Sequence, residues 1–208
     1  MRAHRTDTDL SNDPGVELLA GLAAIGTAVA GVAYAVAFVG LKSNLWSAIF
    51  LLVGSALSLF VLVAVYERFA SIEPRIARWA LIVAVIGAAG AAIHGGYDLS
   101  IQLHPEAATT GLPNPVDPRG LLTFGASGIA LLTGAWLVTL SRELPTWAAW
   151  LAGATGLALL ATYLGRLVVL DANSPYVIGP ALVAGALSPI VYLALGIWLL
   201  QEWGGRRP

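Results

Sequence analysis

Two of the three histidines of the chain lie in one stretch, residues 87–120, with a tyrosine and several charged residues close by. His94 and Asp98 are four residues apart, so on a helix their side chains share a face, with Tyr97 beside them. A carboxylate next to an imidazole fixes the tautomer of the imidazole, which suits a proton relay or a ligand clamp. We therefore expect a functional pair here. The competing interpretation is that both residues lie at the level of the lipid headgroups and only end the helix.

Three further residues are expected at the same end of the molecule. Arg119 follows the loop after this stretch, and Tyr163 and Arg166 lie near the end of the fifth hydrophobic segment. We expect Arg166 to pair with Asp98 across the bundle, or else to extend to the membrane interface. A guanidinium also suits the carboxylate or phosphate of an anionic ligand. The predicted pocket for a ligand or ion therefore comprises His94, Tyr97, Asp98, Arg119, Tyr163 and Arg166.

The sequence favours a role other than catalysis. Without cysteine, the chain has no disulfide, no thiolate nucleophile and no cysteine ligand for a metal or haem. His94, Asp98 and His104 have the atom types of a divalent metal site, but ten residues separate the two histidines, so the spacing defines no site. We predict no catalytic residue, no metal site and no cofactor.

One short motif points to a different chemistry. Gly125-Ala126-Ser127-Gly128 resembles the GxSG motif of rhomboid intramembrane proteases, six-helix proteins whose fourth span carries the serine nucleophile. The resemblance covers four residues and implies Ser127 as the nucleophile. Those proteases carry their histidine base on the sixth span, where this chain has none, so Ser127 would need His94 or His104. We interpret the motif as helix packing and keep an intramembrane serine hydrolase as a remote alternative.

The elements that position these residues are hydrophobic helices. The chain is 58% hydrophobic and only 11% charged, far below the roughly one quarter that is typical of soluble domains. Since about 20 apolar residues cross a bilayer, the sequence predicts an all-α, polytopic integral membrane protein that forms a six-transmembrane-helix bundle. The predicted spans are about 16–41, 45–66, 76–97, 120–140, 146–170 and 176–200, between tails at 1–15 and 204–208.

Charge predicts how the bundle lies in the membrane. Most of the 11 Lys and Arg residues fall on the side of the two termini, so both termini are expected to be cytoplasmic. We expect a multi-pass protein of a bacterial plasma membrane. The loop 99–119 then faces outward. Its prolines favour a cap over the outer mouth of the bundle, against the alternative of an extended surface loop.

Two functions remain open at this point. The first is a protein that binds or translocates a small ligand or ion through an outward-facing pocket between helices 3, 4 and 5. The alternative is a membrane scaffold or accessory subunit, whose polar cluster only joins helices and whose small residues bind a partner protein or a second copy of the chain. The lipid bilayer is an expected partner in both. A net charge of −1 argues against nucleic acid.

Overall fold

The protein is all-helical throughout the part of the chain that its computed structural model describes, residues 14–107, 118–141, 144–169, 171 and 173–205. Within those ranges six helices are long and apolar enough to cross a membrane, which confirms the predicted all-α fold with six candidate spans. They are α1 (Pro14–Ala35), α2 (Asn44–Ala70), α3 (Pro74–Leu103), α4 (Pro118–Ser141), α5 (Thr146–Val169) and α6 (Pro175–Gly205).

The third helix is longer than its predicted span. It continues from residue 97 to Leu103 and is followed by a short 3-10 turn, Pro105–Ala107. The predicted loop 99–119 is therefore helical in its first part, and Asp98 lies more than one turn before the helix end. The segment 108–117, where the cap over the mouth was predicted, lies outside the described residues.

The end of α1 has an unusual geometry. After Ala35 the chain forms a π-helical turn, Val36–Gly40, in which the Leu41 N–H donates to the Val36 carbonyl at 2.9 Å. Lys42 then adopts a left-handed conformation, with φ of 51°, and redirects the chain into α2. The Ser43 side chain caps the first turn of α2 by accepting from the Trp46 N–H. These residues make a tight reversal between two antiparallel helices.

The six helices form a closed ring in chain order. Each helix packs against the next along the chain, and α6 packs against α1. Short connections bring successive helices together antiparallel, so alternate helix ends meet at opposite ends of the ring. One end holds His94 and Asp98 of α3, and we name it the histidine end. The other holds the start of α1 and the end of α6, and we name it the terminal end.

Glycines allow the neighbouring helices to approach closely. A Cβ on Gly196 of α6 would lie 3.1 Å from the backbone oxygen of Gly21 in α1. In the same way, a Cβ on Gly156 of α5 would lie 2.8 Å from the carbonyl oxygen of Gly128 in α4. Close backbone approach at small residues is how membrane helices gain packing contacts where lipid removes the hydrophobic drive.

A hydrophobic core closes the terminal end of the ring. Residues from all six helices and from the connection before α5 contribute buried side chains to it, and its larger members fill the space between the helices. Those larger members are Phe69, Leu137, Leu144, Trp198 and Leu199. This cluster therefore packs the six helices together at the terminal end.

Hydroxyl groups inside the bundle are mostly satisfied within their own helices. Five Ser and Thr side chains donate to the carbonyl four residues earlier, as isolated hydroxyls in apolar helices commonly do. They are Thr27, Ser55, Thr155, Thr162 and Ser188.

Candidate functional site

The His94–Asp98 pair is formed as the helical spacing predicts. The Nε2 atom of His94 lies 3.3 Å from the Oδ2 atom of Asp98, one turn further along α3. The two side chains are 28% and 38% exposed, so both are partly accessible while lying well inside the helix. An imidazole and a carboxylate at this distance can hold a proton between them or present a shared polar edge to a ligand.

The packing of α3 shows which way the pair faces. A Cβ on Gly90 would lie 3.0 Å from the Thr123 backbone nitrogen of α4, and one on Gly95 would lie 3.0 Å from the Ala48 carbonyl of α2. His94 is four residues from Gly90 and Asp98 is three from Gly95, so the pair lies on the face of α3 between its two neighbours.

The face of α3 that carries the pair is its inner one, because α4 packs against it at Gly90 and α2 packs against it at Gly95. Tyr34 of α1 lies within electrostatic range of Asp98, although α2 separates α1 from α3 in the ring. His94 and Asp98 are both partly exposed, and we name the candidate site beside them, with Tyr34 and Tyr97, the histidine pocket. Tyr34 was missed by the sequence analysis. The only signal for it was a tyrosine within an otherwise apolar first span.

The other predicted site residues lie partly on the same helix as this pair and partly on α5. Tyr97 follows His94 on α3 and is 39% exposed. Tyr163 belongs to the interface between α4 and α5, where a Cβ on Gly125 would lie 3.2 Å from its phenol ring. Arg166 is half-buried in the last turn of α5, and α5 packs against α4 and α6. The structure thus joins His94, Asp98 and Tyr34, with Tyr97 adjacent, and separates Tyr163 from them by one helix.

The two arginines of the predicted pocket are Arg166 and Arg119. Among the described residues, no ion pair joins Arg166 to Asp98, and the described charged partner of Asp98 is His94. Arg119 lies in the first turn of α4, and its side chain is outside the described part of the structure. Its predicted role in the pocket therefore stays a prediction.

Ser127 occupies a helix crossing. A Cβ on Gly87 of α3 would lie 2.8 Å from the Ser127 backbone nitrogen and 2.3 Å from its Oγ atom. The small serine and the glycine therefore let α3 and α4 come into backbone contact. This placement agrees with helix packing as the role of the Gly125–Gly128 motif.

His104 lies away from the His94 pair. Its Nδ1 atom is 3.3 Å from Oε1 of Glu106, and the two side chains are 65% and 75% exposed. The described residues contain no group of three His, Asp or Glu side chains arranged to hold a metal ion.

A second ionic cluster lies at the terminal end and was not anticipated. The Arg68 Nη2 atom of α2 contacts Oε1 of Glu17 in α1 and lies 3.7 Å from Oε2 of Glu202 in α6. The Arg68 guanidinium carbon also lies 5.8 Å from the centre of the Trp198 indole, within cation–π range. We name these four residues the terminal cluster. Trp198 is 6% exposed and packs inside the bundle.

Comparison with protein-family models, with curated proteins and with solved structures finds no match to this chain.

Proposed function

We propose that the protein binds a small ligand or ion in the histidine pocket. The observation that carries this proposal is the inward-facing His94–Asp98 pair, which is partly exposed although it lies within an apolar helix. Ionisable residues inside membrane spans are costly and generally serve a pathway or a site. Here a carboxylate, an imidazole and two phenols provide hydrogen-bond acceptors and aromatic faces. This set suits a ligand with a positive charge or a hydrogen-bond donor.

The closed terminal end supports a pocket with one opening. The apolar core and the terminal cluster both lie there, whereas the ionisable residues of the pocket are at the opposite end. By the positive-inside rule, the distribution of Lys and Arg puts both termini in the cytoplasm. The pocket would then face outward from a bacterial plasma membrane. A ligand would then enter from outside the cell.

Native mass spectrometry of the detergent-purified protein tests the proposal. We expect the wild type to carry bound mass that is absent from His94→Ala and from Asp98→Asn, because each substitution removes one member of the pair. His104→Ala is the matched control. It removes a histidine ten residues away that pairs with Glu106 on the surface, and it should retain the bound mass.

Circular dichroism and a monodisperse elution profile establish that each variant is folded. Bound mass that persists in a folded His94→Ala protein would contradict the proposed site. A bare wild-type protein that co-purifies with another membrane protein would instead favour the scaffold or accessory-subunit function.

A further inference from the structure

The terminal cluster joins three helices at the end of the ring that the core closes. Glu17 lies in the first turn of α1, Arg68 lies in the last turn of α2, and Glu202 lies near the end of α6. The Glu17 side chain is 5% exposed and that of Arg68 is 16% exposed, so their ion pair is largely removed from water. The Glu202 side chain is 42% exposed and reaches the same Arg68 nitrogen at 3.7 Å.

Stability alone is a weak explanation for such a pair. Transfer of two charges out of water is costly, and apolar side chains of similar volume hold a buried interface at least as well. The adjacent core shows that this chain does use apolar residues to join the same three helices, through Ala20, Ala64 and Leu199. A buried ion pair beside such a core therefore indicates a role that apolar residues cannot perform. An ion pair can break and form again with a different partner.

The position of Glu202 provides a means of separation. Arg68 has one buried carboxylate and one half-exposed carboxylate within reach of the same nitrogen. If the guanidinium leaves Glu17 for Glu202, its charge stays compensated throughout and the Trp198 indole continues to face it. That exchange breaks the ionic contact between α1 and α2 and strengthens the one between α2 and α6.

We propose that the terminal cluster is a gate that opens the interior of the ring to the terminal end when Arg68 exchanges Glu17 for Glu202. This inference rests on the proposed function, since a gate needs the histidine pocket to connect with. With a gate at the terminal end and a pocket at the histidine end, the protein would carry its ligand across the membrane by alternating access.

Because the chain has no cysteine, one introduced thiol reports access to the interior. Thr27→Cys is suited to this, since Thr27 is buried at 7% exposure, lies deeper in α1 than Glu17 and is close to cysteine in volume. Ser71→Cys, on the exposed turn between α2 and α3, marks reaction from the terminal side. A membrane-impermeant maleimide is applied to inside-out vesicles and to intact cells, and the rate of labelling is measured.

We expect Thr27→Cys to label slowly, and the addition of Arg68→Ala or Glu17→Gln to raise its rate about tenfold or more from the side that labels Ser71→Cys, because either change breaks the buried pair. Arg75→Ala is the matched control. It removes an exposed arginine at the same end and should leave the rate unchanged. Glu202→Gln should slow the labelling, because Arg68 then loses its second carboxylate.

Slower labelling in Glu202→Gln distinguishes a gate from a structural contact. If the cluster were only a structural contact, Glu202→Gln would loosen it and the labelling would become faster. An unchanged rate in folded Arg68→Ala and Glu17→Gln proteins overturns the proposal, as does faster labelling in Glu202→Gln. Aggregation of both Arg68→Ala and Glu17→Gln would make the cluster a structural staple and also overturn it. The labelling uses no ligand, so a failed gate leaves ligand binding at His94 intact, and failed binding leaves the labelling result interpretable.

Discussion

At the scale of single residues, the two ionic groups of this protein differ in how far apart their members are in sequence. His94 and Asp98 are one turn apart on a single helix, so the helical period alone brings them together. Their pairing was therefore predictable. Glu17 and Arg68 belong to different helices, and each stands close to a predicted span boundary. Their pairing was not predicted, because nothing in a single sequence states which helix faces which.

Two arginines should respond differently to truncation. Arg68→Ala removes the guanidinium that contacts the buried Glu17 carboxylate, and we expect a loss of about 3 kcal/mol in the free energy of unfolding. Arg166 forms no ion pair among the described residues, and Arg166→Ala should cost less than about 1 kcal/mol. Thermal unfolding in detergent, followed by circular dichroism, compares them. Equal midpoints for the two variants would contradict this ranking.

At the scale of helices, the sequence indicated the number and the approximate extent of the elements but not their contacts. Continuous apolar runs and polar breaks are local signals, so the six spans were found. The end of α3 was less predictable, because residues 98–103 are too polar for a span and yet continue the helix. The glycines were expected to favour packing, but which glycine meets which neighbour depends on the rotation of each helix about its own axis.

The crossing of α4 and α5 offers a sharp test of this packing. Gly156→Ala places a Cβ 2.8 Å from the Gly128 carbonyl oxygen and 3.1 Å from the Leu132 backbone nitrogen. We expect it to destabilise the bundle by about 1–3 kcal/mol through overpacking.

Gly134→Ala on α4 is the control, since a Cβ there meets nothing within 4 Å. It should be neutral or stabilise the helix by up to about 1 kcal/mol. The thermal unfolding midpoint of Gly156→Ala should therefore fall, and that of Gly134→Ala should stay the same or rise. A Gly156→Ala midpoint at or above that of Gly134→Ala would show that the two backbones are not in contact.

At the scale of the whole molecule, a closed ring of six antiparallel helices separates its two ionic groups. The His94–Asp98 pair is at one end, and the terminal cluster and the apolar core are at the other. Order in the ring follows chain order, which the short connections made plausible from sequence. Closure by contact between α6 and α1 was not predictable, because it depends on how each pair of helices crosses.

With six membrane spans both termini would lie on the same side of the membrane, and the positive-inside rule predicts that this side is cytoplasmic. Fusions test this arrangement. Green fluorescent protein should fluoresce at either terminus, and alkaline phosphatase should be inactive at both. The matched control is alkaline phosphatase inserted in the 108–117 segment, which is predicted to lie outside the cytoplasm, and this fusion should be active. Active phosphatase at either terminus would reverse the proposed direction of the histidine pocket.

The π-helical turn at the end of α1 has a consequence for the mouth of the pocket. A π turn holds one residue more than an α turn, so Val36–Gly40 stores one surplus residue beside Tyr34. Rewinding this turn as α-helix would swivel the residues beyond it by about 100° and displace them along the axis by roughly 1.5 Å. The tip of α1 can therefore twist while its base stays tethered at Glu17. Among the described helices, α1 alone has such a π-helical turn, and it lies next to the proposed pocket.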